Sequence, residues 1–321
     1  MIRTLIAGTL LQLLHLLVAL AAAPLLVGVT RFVKARLQSR RGPSPIQPYR
    51  DLLRLFRKET VLAHEASWIF RVTPYLVFAL TVIASGMVPM FALDLPLASA
   101  GDLIAIVALL ATARFFQALA GLDLGTAFGG IGASREALIG SLAEPAVLMV
   151  AFALALVAGT TALPAIARFV LSGGVGVEIS LALALIALLI VAIAENGRIP
   201  VDNPATHLEL TMVHEAMVLE YSGRSLALIE AAQMLKLLVF VSLVTVLFSP
   251  WGLATESGLD LLDLGGGLLV FLIHLLAAAV LIAIFEVSIA KMRVFRVVEF
   301  LGAAFILAVL AVVFRFVTDV S

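Results

Sequence analysis

Long uncharged apolar runs recur along this chain, and their lengths predict helices that cross a bilayer. The clearest are Thr4–Thr30, Val72–Leu93, Pro145–Ala167, Leu237–Thr255 and Leu264–Phe285, each close to the ~20 residues such a helix needs. Three further runs carry embedded charge: Leu97–Gly121 around Arg114, Gly176–Ala194 after Glu178, and Val294–Val317. The pattern predicts an all-α, polytopic membrane protein with about eight transmembrane helices. A different periodicity occupies Gln47–Glu59. There Tyr49, Leu52, Leu53 and Phe56 recur at i, i+3, i+4, i+7, while Arg50, Arg54 and Arg57 share the opposite face. That spacing predicts an amphipathic helix, with its flank about residues 44–59, lying in the membrane interface.

Composition agrees: 63% of the 321 residues are hydrophobic, which excludes a soluble globular domain and makes residues 1–321 one integral membrane domain. Charge then orients it. Arg31, Lys34, Arg36, Arg40, Arg41, Arg50, Arg54, Arg57, Lys58 and Arg71 all fall between the first two spans. Arg114, Arg135, Arg198, Arg224, Lys291, Arg293 and Arg296 lie on the same side, against Arg3, Arg168 and Arg315 on the other. The basic side is expected to be cytoplasmic and both termini external, in the cytoplasmic membrane of a prokaryote. The first run is expected to be a retained helix rather than a cleaved signal, because the positive cluster follows it. Topology accounts for the basic cluster, so no nucleic acid is expected as a partner. There is no cysteine, which excludes disulfides and cysteine-ligated zinc or iron–sulfur centres on this chain.

Titratable residues inside such a chain mark ion paths or partner contacts. His15, alone in span one, is expected to make a helix-packing hydrogen bond. Arg114 can snorkel to the interface or pair with a carboxylate inside the bundle, and Asp123 and Glu144 are the candidate partners. Gly125–Gly132 lacks the Lys-Ser/Thr of a phosphate loop; it is expected to be a tight re-entrant turn, with Ser134 capping the next helix. Glu136, Gly140 and Glu144 follow at i, i+4, i+8, on one face. Glu144 lies two turns deeper than Glu136 and precedes Pro145, which frees a carbonyl in the membrane.

The richest stretch is Glu195–Arg224. It opens on Arg198-Ile199-Pro200-Val201-Asp202 and carries Glu209, Glu215 and Glu220. A helix is expected from Pro204 to Tyr221, closed by Gly223. His214-Glu215 is not a zinc helix, because position 218 is Val where the second His would stand. Span six carries Glu230, Gln233 and Lys236 as a polar row, and span seven carries His274 and Glu286. Glu136, Glu144, Glu195, Asp202, Glu209, Glu215, Glu220, Glu230, Lys236 and Glu286 are the candidate proton-path residues, with Arg114 and Arg198 as charge partners.

These residues carry a resemblance. The chain resembles the membrane component shared by respiratory complex I and the group 4 nickel–iron hydrogenases, the family of the complex I H subunit (subunit 1). Arg41-Gly42-Pro43, Gln47 and Lys58-Glu59 resemble its first cytoplasmic loop. Glu195, Arg198, Pro200, Asp202, Glu209 and Glu220-Tyr221-Ser222-Gly223 resemble its signature loop, here about residues 195–224. Gln47-Pro48-Tyr49-Arg50-Asp51, Phe128-Gly129-Gly130 and Ser134-Arg135-Glu136 are similar to the formate hydrogenlyase and hydrogenase-4 branch. Ser44, Ala205 and His207 depart from the respiratory form.

The resemblance implies a subunit without a redox centre or cofactor of its own. It would anchor a peripheral arm whose subunits carry iron–sulfur clusters and a nickel–iron site, and would connect that arm to antiporter-like membrane subunits. Arg41, Gln47, Arg50, Asp51, Arg54, Lys58 and Glu59 are the expected docking residues. The implied function is energy coupling to proton or sodium translocation. A quinone-site subunit of an NADH:quinone oxidoreductase is the alternative, and a free-standing transporter fits less well because no internal repeat is evident.

Overall fold

The computed structural model describes residues 2–93, 95–173, 178–198, 212–254, 261–289 and 296–320, without the side chains of 2–5, 261, 319 and 320. Among them the fold is helical: α1 Ile2–Leu37, α2 Gln47–Arg57, α3 Trp68–Met87, α4 Leu103–Asp123, α5 Ala127–Ala158, α6 Leu163–Leu171, α7 Ile179–Glu195, α8 His214–Val218, α9 Gly223–Phe248, α10 Leu261–Ser288 and α11 Arg296–Val320. Seven of these are long and apolar enough to cross a membrane. A further apolar helix, α7, has 17 residues and a rise of roughly 26 Å, at the short end of what a crossing helix needs. The chain is a multi-pass membrane protein.

Several boundaries differ from the sequence expectation, for physical reasons. The Gly-rich segment is not a re-entrant turn. Thr126 caps α5 by accepting from the Gly129 amide at 3.2 Å, and Gly129, Gly130 and Gly132 already lie inside that helix. A side chain at Gly129 would collide with the Gly121 carbonyl of α4, so glycine here lets two helices touch backbone to backbone. Ser134 therefore caps nothing; its hydroxyl donates to Ile131 one turn back. The run expected at Pro145–Ala167 is the second half of α5, with Pro145 inside the helix. It ends at Gly159 in the left-handed region, and α6 follows separately. Gly223 opens α9 instead of closing a helix. Of the helix expected between 204 and 221, residues 204–211 lie outside the described residues and the rest forms only α8.

Helix α1 continues past Thr30 to Leu37 and carries Lys34 and Arg36 out of the apolar layer. Small buried residues sit throughout the bundle, Ala19, Ala84, Ala143, Ala187 and Ala308 among them, as expected where close approach replaces a hydrophobic driving force. His15 and Gln12 solve a local problem. The end of α3 leaves carbonyls without helical partners deep in the protein. His15 Nε2 donates to Ser85 O at 3.2 Å and Gln12 Nε2 to Gly86 O at 3.3 Å. The packing hydrogen bond expected of His15 is thus present.

The 1–2 connection is tied to the start of α9. Ser222 Oγ accepts from the Val61 amide at 2.8 Å and donates to the Val61 carbonyl at 2.9 Å. Tyr221 stacks on Phe70, with ring centroids 3.9 Å apart, and donates to the Phe70 carbonyl at 3.0 Å. Burial pushes the Tyr221 phenol above its usual range, so it stays a donor. Helix α2 also packs on α9 and α1, with Arg50, Arg54, Lys58 and Glu59 left exposed.

Candidate functional site

Arg114 is the pivot of the site. It projects from α4 into the bundle with 8% exposure. Its Nη1 donates to Glu195 Oε1 at the end of α7, and its Nη2 to Glu144 Oε1 on α5. The other oxygen of Glu195 accepts from Lys236 Nζ of α9 at 2.7 Å. Two cations and two carboxylates from four helices thus form one neutral cluster, the arrangement a low-dielectric interior tolerates. Gly140, between Glu136 and Glu144 on α5, makes room for it. A Cβ there would lie 2.9 Å from the Arg114 Cζ.

The cluster bounds a cavity of about 220 Å³. Arg114, Glu195 and Lys236 line it, with Glu136, His214, Glu215, Glu230, Gln233, Arg31 and Arg198. Glu136 is 2% exposed and its Oε2 lies 3.3 Å from His214 Nε2 of α8. A polar space of this size holds several waters. On the far side of Arg114 a cavity of about 20 Å³ borders Arg114, Glu144 and Glu195, and there the Glu144 side chain is 40% exposed. Arg114 and Glu195 therefore stand between the large cavity and a carboxylate on the flank of the bundle.

A second cluster lies beside the first. Glu286 of α10 accepts from Lys34 Nζ at 2.5 Å and from Arg198 Nη1 at 3.1 Å. It ties the start of the 195–224 stretch to α1 and α10.

Most of the sequence candidates converge. Arg114, Glu136, Glu195, Glu215, Glu230 and Lys236 all line the large cavity, and Glu144 adjoins it through Arg114. Glu286 does not line the cavity but pairs with Arg198, which does, and Glu220 is exposed, away from the cavity lining. Asp202 and Glu209 lie outside the described residues. Asp123 is not a partner of Arg114; it accepts from the Ser67 amide at 3.0 Å. Glu195 takes that place, 81 residues away in sequence. Lys34 and Arg31 were not candidates, although α1 runs on to Leu37 and its helical register could have placed them. The Glu136–His214 approach joins residues far apart in the chain and has no local signal.

Among the described residues no group of three or more His, Asp or Glu is placed to hold a metal ion. On α2, Asp51 accepts from Gln47 and from Arg54, both at 2.9 Å.

Known proteins resemble this chain over nearly its full length. Formate hydrogenlyase subunit 4 of Escherichia coli (strain K12) is 37% identical over 284 residues, covering 88% of this chain and 90% of that protein. Hydrogenase-4 component C of the same organism is 38% identical over 297 residues, 92% of each. The NADH-quinone oxidoreductase H subunit of Syntrophotalea carbinolica is more distant, 30% identical over 247 residues, with 71% and 73% covered. A solved chain of an archaeal respiratory membrane complex, the membrane-bound sulfane sulfur reductase, shares the fold. Its TM-score is 0.82 at 24% identity, over 96% of this chain and 99% of that one. The sequence also matches a family pattern across residues 10–317, and on that match the chain belongs to the NADH dehydrogenase family.

Proposed function

We propose that this chain is the membrane-anchoring and energy-coupling subunit of a membrane-bound, complex I-like nickel–iron hydrogenase. It sits in a prokaryotic cytoplasmic membrane with both termini outside. The observation that carries the reading is the Arg114–Glu195–Lys236 cluster, set between a polar cavity and the carboxylate of Glu144 on the bundle's flank. An ion-translocating route needs such an arrangement: sites that exchange protons or cations, held together by countercharges and joined to hydrated space. The higher identity to the two hydrogenase-complex proteins than to the NADH-quinone oxidoreductase relative favours the hydrogenase reading over the quinone-site alternative.

In this reading residues 1–321 act as a single membrane domain. The peripheral arm, with its iron–sulfur and nickel–iron subunits, docks on Arg41, Gln47, Arg50, Asp51, Arg54, Lys58 and Glu59, and antiporter-like subunits lie alongside in the bilayer. The 195–224 stretch, with Asp202, Glu209 and Glu220, senses charge changes in the arm. Arg198 and Glu286 hold its first residues, so a rearrangement there reaches α1 and α10.

Glu144→Gln in the intact complex tests the reading. Hydrogen chemistry with artificial electron carriers should persist while the ion gradient per electron falls. Unchanged gradient formation would reduce Glu144 to a packing residue. A purified complex with bound quinone and no nickel would favour the alternative.

A further inference from the structure

The membrane face opposite the charge cluster carries a second cavity, also of about 220 Å³. It lies where α5 ends, α6 turns away and α7 begins, against the last turn of α9. Leu154, Ile166, Phe169, Leu181, Leu185 and Phe248 form its walls. Water gains little in such a space, which offers almost no hydrogen-bond partners, whereas hydrocarbon fills it favourably. The charge is gathered at one place. Glu178 lines the cavity and accepts from Arg315 Nη1 of α11, at 3.3 and 3.4 Å to its two oxygens, and from Ser180 Oγ at 3.2 Å. This pair is 30% and 20% exposed, and Arg168, in the last turn of α6, is exposed on the same membrane face.

An apolar slot with charges of both signs beside it matches one kind of molecule already present in the bilayer. We propose that this cavity is a phospholipid site: an acyl chain fills the space between α5, α6, α7 and α9, the phosphate meets Arg315 and Arg168, and a primary ammonium in the headgroup meets Glu178. Guanidinium groups pair with phosphate through two-pronged hydrogen bonds. The carboxylate supplies the selectivity, because an ethanolamine ammonium donates hydrogen bonds to it, a choline ammonium has none to donate, and a glycerol headgroup brings no positive charge. The lipid would fasten the short α6 to the bundle. The site is separate from the proposed ion route and its occupancy is read without measuring coupling.

The intact complex, purified in mild detergent and examined by native mass spectrometry, decides the matter. One phosphatidylethanolamine should survive washes that strip bulk lipid, and it should outcompete phosphatidylglycerol and phosphatidylcholine by roughly tenfold, the scale of one charge-assisted hydrogen bond. Arg315→Gln should weaken retention of all three. Ala182→Phe, at an exposed lining position, should fill the slot and abolish retention while the complex still assembles. No retained lipid in the wild-type complex overturns the proposal, as does undiminished retention in Ala182→Phe. Equal affinity for the three headgroups overturns the role given to Glu178. If Arg315→Gln prevents assembly, the wild-type competition and Ala182→Phe decide.

Discussion

Glu195→Gln is the most informative perturbation, because Glu195 is the residue both buried cations share. The substitution keeps shape, and the amide oxygen it introduces can still accept from Arg114. It removes one negative charge from a neutral group of four, so within that group Arg114 and Lys236 share one carboxylate, Glu144. Glu136, across the cavity, is the further negative charge acting on Arg114. Breaking a buried ion pair by removing one partner costs roughly 3–5 kcal/mol, and at 7% exposure Glu195 has little solvent to soften the loss. Against a total stability of about 5–15 kcal/mol this is large. Lys236→Met alone strands the opposite charge; Glu195 keeps Arg114, so its cost belongs at the lower end of that range. The double variant Glu195→Gln/Lys236→Met removes one charge of each sign and leaves Arg114 with Glu144, which is again neutral. Contacting residues couple by about 0.5–3 kcal/mol, and the damage in the double variant should therefore fall short of the sum of the two single effects by an amount in the upper part of that range. Membrane abundance of the complex and its thermal inactivation half-life, compared across the four genotypes, read the cycle. Ion coupling per electron should stay impaired in all three variants, which separates assembly from transport. A double variant damaged by the sum of the two single effects would refute the argument from charge balance.

Three further outcomes follow from close contacts. Gly140→Ala would push a methyl against the Arg114 guanidinium, 2.9 Å from where its Cβ must stand; an overpacking cost of about 1–3 kcal/mol should shorten the thermal half-life and displace Arg114 from Glu144. Gly223→Ala meets two obstacles, the left-handed backbone at φ +54° and the Glu59 carbonyl. A cost of roughly 1–2 kcal/mol for the backbone alone should make residues 58–66 more susceptible to limited proteolysis. His15→Leu would leave the Ser85 carbonyl at the end of α3 without its partner; about 1–3 kcal/mol should appear as lower thermal stability, with ion coupling in the surviving complex unchanged.

Legibility in the sequence followed the range of the interaction. The crossing helices could be read because a bilayer requires about 20 apolar residues in a row, and helix α2 because its apolar residues recur at helical spacing with the arginines on the other face. The presence of Arg114, Glu144, Glu195 and Lys236 inside that layer was equally visible, since any charge in an apolar run stands out. Which of them meet was not. Glu144 and Glu195 lie 30 and 81 residues from Arg114, and helix periodicity says nothing about the neighbour across a contact. Asp123, nearer in sequence than either, faces the start of α3 instead. The Gly-rich segment failed for a related reason: glycine that suits a turn also suits two backbones in contact, and only the approach of α4 to α5 distinguishes them. Sequence alone thus determined what must lie in the membrane, through lengths and periods that each helix carries by itself. Tertiary structure decided which buried charges neutralise one another, because that balance is struck between helices.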